Sequence, residues 1–224
     1  MRFVPICMLL ALLLAGCNTV TDYGSSTGEA APMQPVQSPN DDRGYRYLTL
    51  PNRLRVLLVS DPDADMAAAS LAVDAGSLAN PADRQGLAHF LEHMLFLGTE
   101  KFPDPAEYQT FINTHGGRHN AYTADTHTNY FLEIEPSQLA GALDRFSQFF
   151  IAPLFNTDYV MRERKAVEGE YRMQIRSEGR RGQAARRLVY NPEHPASQFS
   201  IGNLETLSDS SERPLRDALI DFYH

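Results

Sequence analysis

The chain has 224 residues, 43% of them hydrophobic and 21% charged, which is ordinary for a globular protein that buries its own core. Its formal net charge of −8 argues against nucleic acid as a partner, since phosphate binding requires a basic surface. No internal repeat is visible, and the two cysteines, Cys7 and Cys17, both lie in the first 17 residues.

The opening run, MRFVPICMLLALLLAGC, has one positive charge, an apolar stretch too short to span a bilayer, and small residues before Cys17. It reads as a secretory signal over residues 1–16. Leu14-Ala15-Gly16-Cys17 resembles a bacterial lipoprotein box, which implies cleavage before Cys17 and lipid on that residue. An ordinary signal peptide is the alternative. Asn18 is not the aspartate associated with inner-membrane retention, so the outer membrane, facing the periplasm, is the expected location. The mature chain then has no free thiol for a disulfide or a cysteine–metal site. Residues 17–43 are rich in Ser, Thr, Gly, Pro and Asp, cannot bury enough surface to offset their ordering entropy, and are expected to form a flexible tether.

From residue 44 the pattern changes, and residues 44–224 are expected to form one folded domain. YRYLTL and LRVLLVS flank Pro51-Asn52, a turn signal, and predict a strand pair. MAAASLAVDAGS is a third apolar segment, read as a strand although its alanines leave periodicity ambiguous. GLAHFLEHMLFLG is helical. PAEYQTFINTHGG is a short helix with Pro105 at its start and Gly116-Gly117 at its end. RHNAYTAD and HTNYFLEIE alternate and are rich in Tyr, Thr and Phe, which predicts two more strands. PSQLAGALDRFSQFF is an amphipathic helix with Leu139, Leu143, Phe146 and Phe150 on its apolar face. A long charged helix covers 158–179, and helical sequence resumes after Gly179 until NPEHPASQ interrupts it. Strands followed by helices indicate an α+β fold, a mixed but mostly antiparallel sheet with helices packed on it.

The helix at 86–98 carries the chemistry. At 100° per residue, Leu87, Phe90, Leu91, Met94 and Leu95 form a core-facing stripe. His89, Glu92, His93 and Phe96 fall on the opposite face. Imidazoles at i and i+4 are close enough to bind one zinc ion, at about 2.0–2.1 Å each. Glu92 shares that face without having to be a ligand, and can take a proton from water. The competing reading is a helix beneath a loop, its histidines satisfied by hydrogen bonds. Grouping of two histidines and a glutamate away from the core stripe favours the metal. His115, His119 and His127 change element between them and are read as surface or structural residues, as is His194. The charged helix offers Glu163, Glu168, Glu170 and Glu178, by default a solvated face with pairs such as Glu168–Arg172. Glu163 and Glu170, two turns apart, share a face.

His89-Phe90-Leu91-Glu92-His93 is the H-x-x-E-H pattern of the inverted zinc peptidases. VLLVSDPDAD, GSLANPADRQGLAHFLEHMLFLGTEKFP, HGGRHNAYTADTHTNYFLEIE, LDRFSQFFIAPLF, RERKAVEGEYRMQ and GNLETLSD resemble the pitrilysin–insulinase family in the same order, from about residue 44 to the end. The resemblance implies the first, catalytic domain of that fold and a zinc-dependent endopeptidase acting on peptides or unfolded segments. It implies one zinc per chain, held by His89, His93 and Glu170, with Glu92 as general base and Glu163 as a supporting acid. It also implies that RHNAYTAD is an edge strand on which substrate peptide lies, with Asn120 and Ala121 in contact. Members of the family have several related domains that close around the substrate. This chain stops inside what reads as a helix of the first, so it is expected to be a fragment, a truncated product, or half of a two-chain enzyme. The alternative function is a non-catalytic or half-chamber lipoprotein subunit that binds peptide and needs a partner chain.

Overall fold

The computed structural model describes residues 35–224, so the signal segment, Cys17 and most of the 17–43 stretch lie outside it. The described chain divides into two compact units at Pro62/Asp63. In the first, β1 (Gly44–Thr49) and β2 (Arg55–Ser60) form the antiparallel pair predicted for YRYLTL and LRVLLVS, in a register running from Gly44 opposite Ser60 to Thr49 opposite Arg55. The turn closes through Arg53 N–H to the Leu50 carbonyl, 2.8 Å, with Arg53 at φ 68°.

The second unit holds a three-stranded antiparallel sheet of order β3-β5-β4 and six helices. β3 (Ala67–Val73) is the alanine-rich segment. β4 (Arg118–Thr123) and β5 (Thr128–Ile134) form a hairpin, and β5 lies between its neighbours. Its side chains obey the period-two rule: Thr128, Tyr130, Leu132 and Ile134 are buried, while Phe131 between them is exposed. Fold class is therefore α+β as expected, with every strand pairing among the described residues antiparallel. β4 and β3 form the two edges of this sheet.

The helices are α1 (Leu87–Leu95), α2 (Glu107–Thr114), α3 (Leu139–Gln148), α4 (Thr157–Gln174), α5 (Glu178–Arg187) and α6 (Leu215–Tyr223). α2 ends where Gly116-Gly117 predicted. Gly116 is left-handed at φ 69°, and Gly117 N–H returns to the Ile112 carbonyl at 2.9 Å, satisfying a terminal acceptor of the helix. α4 starts at Asn156, whose side chain accepts from Asp158 N–H at 3.0 Å. On α3, Ala142 rather than Leu143 is the buried residue; Leu143 is 41% exposed. Among the described residues, no helix is long and apolar enough to cross a membrane.

One hydrophobic core joins α1 to β5, α2, α3, α4 and α6 through Leu87, Phe90, Met94, Tyr130, Ile134, Ile112, Phe146, Val167 and Leu219. α1 is the central helix, touching β4 and β5 as well as α4 and α6. That position explains a departure from the simple two-faced picture. Phe96, placed with the polar residues by angle alone, packs on Tyr108, His119, Tyr130 and Phe149 with ring centroids 5.1–6.1 Å apart.

Candidate metal centre

α1 begins at Gly86, whose φ of 93° lies in the left-handed region open to glycine. A β-carbon there would sit 2.3 Å from the Gly202 Cα, so the two backbones meet without side chains between them. The buried Asn80 side chain accepts from Ala88 N–H at 2.8 Å, satisfying one orphan donor of the first turn. Arg84, 4% exposed, donates to the Ser208 and Arg213 carbonyls at 2.6 and 2.8 Å and ties this loop to the segment that leads into α6. Residues 201–202 are thus pinned against the start of α1.

This pinning orients His89. Its Nδ1 donates to the Ile201 carbonyl at 2.7 Å, which leaves Nε2 with a free lone pair. His93, one turn on, has Nδ1 3.4 Å from Glu163 Oε2, so its Nε2 is likewise turned inward. The two Nε2 atoms stand 3.3 Å apart. Glu170 closes the group, with Oε2 3.5 Å from His89 Nε2 and Oε1 3.5 Å from His93 Nε2. Glu163 and Glu170 reach His93 from one face of α4, two turns apart, as their seven-residue spacing requires. Val160 and Val167 anchor that helix in the core.

These separations test whether the donors fit a metal. Tetrahedral zinc with ligands at about 2.0–2.1 Å has ligand–ligand edges of roughly 3.3–3.4 Å. The three observed edges are 3.3, 3.5 and 3.5 Å. Among the described residues, this trio is the one group of His, Cys, Asp and Glu side chains arranged to hold a metal ion. Two imidazole lone pairs and a carboxylate converging on one point also need a cation or a proton between them.

The electrostatics of the metal-free site follow. Burial and the neighbouring His93 charge push the His89 pKa down. Burial would lower His93 as well, but its hydrogen bonds to Glu163 and Glu170 outweigh this and raise it to about 9. Two imidazoles in contact do not both become imidazolium, and the one facing two carboxylates takes the charging proton. Glu170 and Glu163 are both lowered, chiefly by their bonds to His93.

Glu92 is not on an open polar face. It is 8% exposed, between α1 and β4, and its Oε2 accepts from the Thr123 hydroxyl at 2.5 Å. Burial raises its pKa, partly offset by the Thr123 bond. Thr123 is in turn 3.5 Å from Thr128 Oγ1, which donates to the Ala75 carbonyl. The group opens on a cleft of about 780 Å³ lined by residues of α1, β4, α4, α5 and the 200–201 segment. Asn120 and Ala121 of β4 line this cleft, and Asn120 Oδ1 accepts from Ala121 N–H at 2.9 Å.

The other histidines are not members of the trio, although His119 lines the same cleft. His115 Nδ1 donates to the Phe111 carbonyl at 2.7 Å. His119 packs against Phe96 and Tyr108, His127 stands edge-on to Tyr122, and His194 accepts from Ala196 N–H. The Glu168–Arg172 pair forms on α4 as its i,i+4 spacing predicts. Sequence reasoning missed Thr123 and the Ile201 carbonyl. Thr123 follows Asn120 and Ala121 in the same strand, and strand alternation from α1's neighbour could have found it. A backbone carbonyl 112 residues from His89 leaves no sequence signal.

The site is thus an H-x-x-E-H helix with its glutamate partner on a second helix. Residues 55–193 match the family described as Insulinase (Peptidase family M16), and the chain belongs to that family. Among its relatives, the A-factor-processing enzyme of Saccharomyces cerevisiae is 46% identical over 186 residues, 82% of this chain and 18% of that protein. Protease 3 of Salmonella typhimurium is 44% identical over 221 residues, 96% of this chain and 22% of that protein. The crystal structure of pitrilysin superposes with a TM-score of 0.80 at 43% identity, covering 85% of this chain and 21% of that one. The resemblance read from the sequence is thereby borne out. The chain spans about a fifth of the length of these relatives.

Proposed function

We propose that this chain is the metal-binding catalytic domain, residues 44–224, of a zinc-dependent endopeptidase that hydrolyses peptides or unfolded segments. The observation that carries the reading is the convergence of His89 Nε2, His93 Nε2 and a Glu170 oxygen on edges of 3.3–3.5 Å, with buried Glu92 on the same helix. In this reading His89, His93 and Glu170 hold one zinc ion, which when bound would polarise the scissile carbonyl and acidify a water. Glu92 accepts the proton of the attacking water and delivers it to the departing amine nitrogen; its raised pKa suits both steps. Thr123 holds one Glu92 oxygen so that the carboxylate keeps a fixed direction. Glu163 and the Ile201 carbonyl orient the imidazoles. The free edge of β4 is where an extended peptide would add as a further strand, past Asn120 and Ala121.

The test is Glu92→Gln in the full-length protein. Zinc content should be unchanged, and cleavage of an unstructured peptide should fall about 10²–10⁴-fold. Cleavage at the wild-type rate would remove Glu92 as the base.

A second reading rests on the open cleft and the β4 edge that lines it. Here the chain is a non-catalytic or half-chamber lipoprotein subunit that binds peptide and needs a partner chain. The intact mass of the native product separates the two cases.

The localisation we propose is export and lipid anchoring through Cys17, facing the periplasm from the outer membrane. It is supported by the run and box at residues 1–17. Cys17→Ser should release the protein from the membrane fraction into the soluble one. A variant still membrane-bound would sink this proposal.

A further inference from the structure

Among the described residues, one cation lining the cleft, Arg180, makes no salt bridge to a carboxylate. Arg180, in the first turn of α5, is partly buried and faces the same cavity as His89, His93, Glu92 and Glu170. Among the described residues its guanidinium hydrogen-bonds only to neutral amide oxygens: Nε to Gln174 Oε1 at 3.1 Å and Nη1 to Gln183 Oε1 at 2.9 Å. The contrast with its neighbours is sharp. Arg162, which also lines the cleft, is paired with Glu163 at 3.0 Å, and Arg172 is paired with Glu168.

Arg180 is also held in place. The Gln183 side chain that accepts from it donates through Nε2 to Ser200 Oγ at 2.8 Å. Ser200 precedes Ile201, whose carbonyl holds His89. A short chain of hydrogen bonds therefore fixes the guanidinium relative to the metal ligands. Its charge is felt there: it is one of the influences on both His89 and Glu170. A guanidinium oriented by neutral acceptors keeps donors and full charge for an incoming carboxylate, and such charge-assisted bonds are the strong ones.

We propose that Arg180 is a specificity-determining residue that binds a substrate carboxylate in the cleft, beside the bond to be cut. The inference rests on the peptidase reading above and deepens it. The carboxylate has two sources, an acidic side chain or the free C-terminus of a short peptide, and both offer the same chemistry to the guanidinium.

The experiment uses the full-length, zinc-loaded protein and four versions of one unstructured peptide. One residue near the cleaved bond is Glu or Gln, and the C-terminus is free or amidated; a fifth peptide carries Lys at that residue. Cleavage is read as kcat/KM, and binding as fluorescence anisotropy with the Glu92→Gln variant. The expected result is a preference of about tenfold for the carboxylate-bearing peptide. That preference should collapse toward one in Arg180→Gln and persist in part in Arg180→Lys. In Arg180→Glu it should turn toward a Lys-containing peptide, a reversal that a misfolded variant cannot produce. Preference following the Glu/Gln exchange assigns the side chain; preference following the terminus assigns the free C-terminus. Cleavage of all four peptides with no carboxylate preference, or a preference untouched by Arg180→Gln, overturns the inference and leaves the peptidase reading standing. Zinc-loaded protein that neither binds nor cuts any of them overturns both.

Discussion

His93 is the residue on which the charge of the centre turns. In the metal-free protein its pKa is raised to about 9, so at neutral pH it carries the proton that a metal has to displace. Zinc affinity should therefore fall by about tenfold per pH unit as the pH drops below 9, and isothermal titration in two buffers should show a proton released at pH 7.5. An affinity flat between pH 7 and 9 would contradict this. The linkage to folding has the opposite sign. A folded-state pKa above the ordinary 6.5 stabilises the metal-free protein fully below that pH, and the contribution is lost as the pH rises through about 9. Glu163 reaches the centre through His93. Glu163→Gln keeps an acceptor but removes the charge, and should weaken zinc binding by about 10–100-fold, measured by competition with a chelator. Sequence spacing supplied His89, His93, Glu92 and the shared face of Glu163 and Glu170. It could not supply the Ile201 carbonyl, because a backbone group contributes through position and not through residue type.

At the level of elements, the centre is two helices and a strand held at fixed separation. α1 brings two imidazoles and the Glu92 carboxylate, α4 brings two carboxylates, and β4 brings Thr123 and the edge. The close approach of Gly86 to Gly202 sets how the 200–202 segment meets α1. Gly86→Ala forces a left-handed alanine and places its Cβ 2.3 Å from the Gly202 Cα. The backbone strain alone is worth about 1–2 kcal/mol, and the overlap adds to it. Denaturant unfolding should show a loss above that figure. Zinc affinity should fall with it, because the Ile201 carbonyl moves off His89. The amphipathic patterns of α1 and α3 were readable, but angle alone misplaced Phe96 and Leu143. Burial depends on which neighbour covers a given azimuth. α1 is covered on several sides at once, and Ala142 takes the place near the core on α3.

For the molecule as a whole, a metal held by His89, His93 and Glu170 would also tie α1 to α4. A ligand that binds only the folded state at about a hundred times its Kd stabilises by about 2.7 kcal/mol, which raises Tm by roughly 5–10 °C in a chain of this size. Calorimetry with and without chelator should show that shift, and alanine at His93 should abolish it. An unchanged Tm would favour the competing reading of histidines satisfied by hydrogen bonds. The sequence by itself determined the α+β class, the order of strands and helices, the H-x-x-E-H helix and the family. These rest on local periodicity and on residues close together in the chain. Only the tertiary structure decided that Glu92 is buried against Thr123, that β4 lies at a sheet edge, and that Arg180 lines the cleft with its hydrogen bonds, among the described residues, going to neutral amides. The site depends on contacts between segments far apart in the chain, as in Glu92–Thr123 at a separation of 31 and His89–Ile201 at 112. Chain folding sets such distances, and no local pattern in the sequence encodes them.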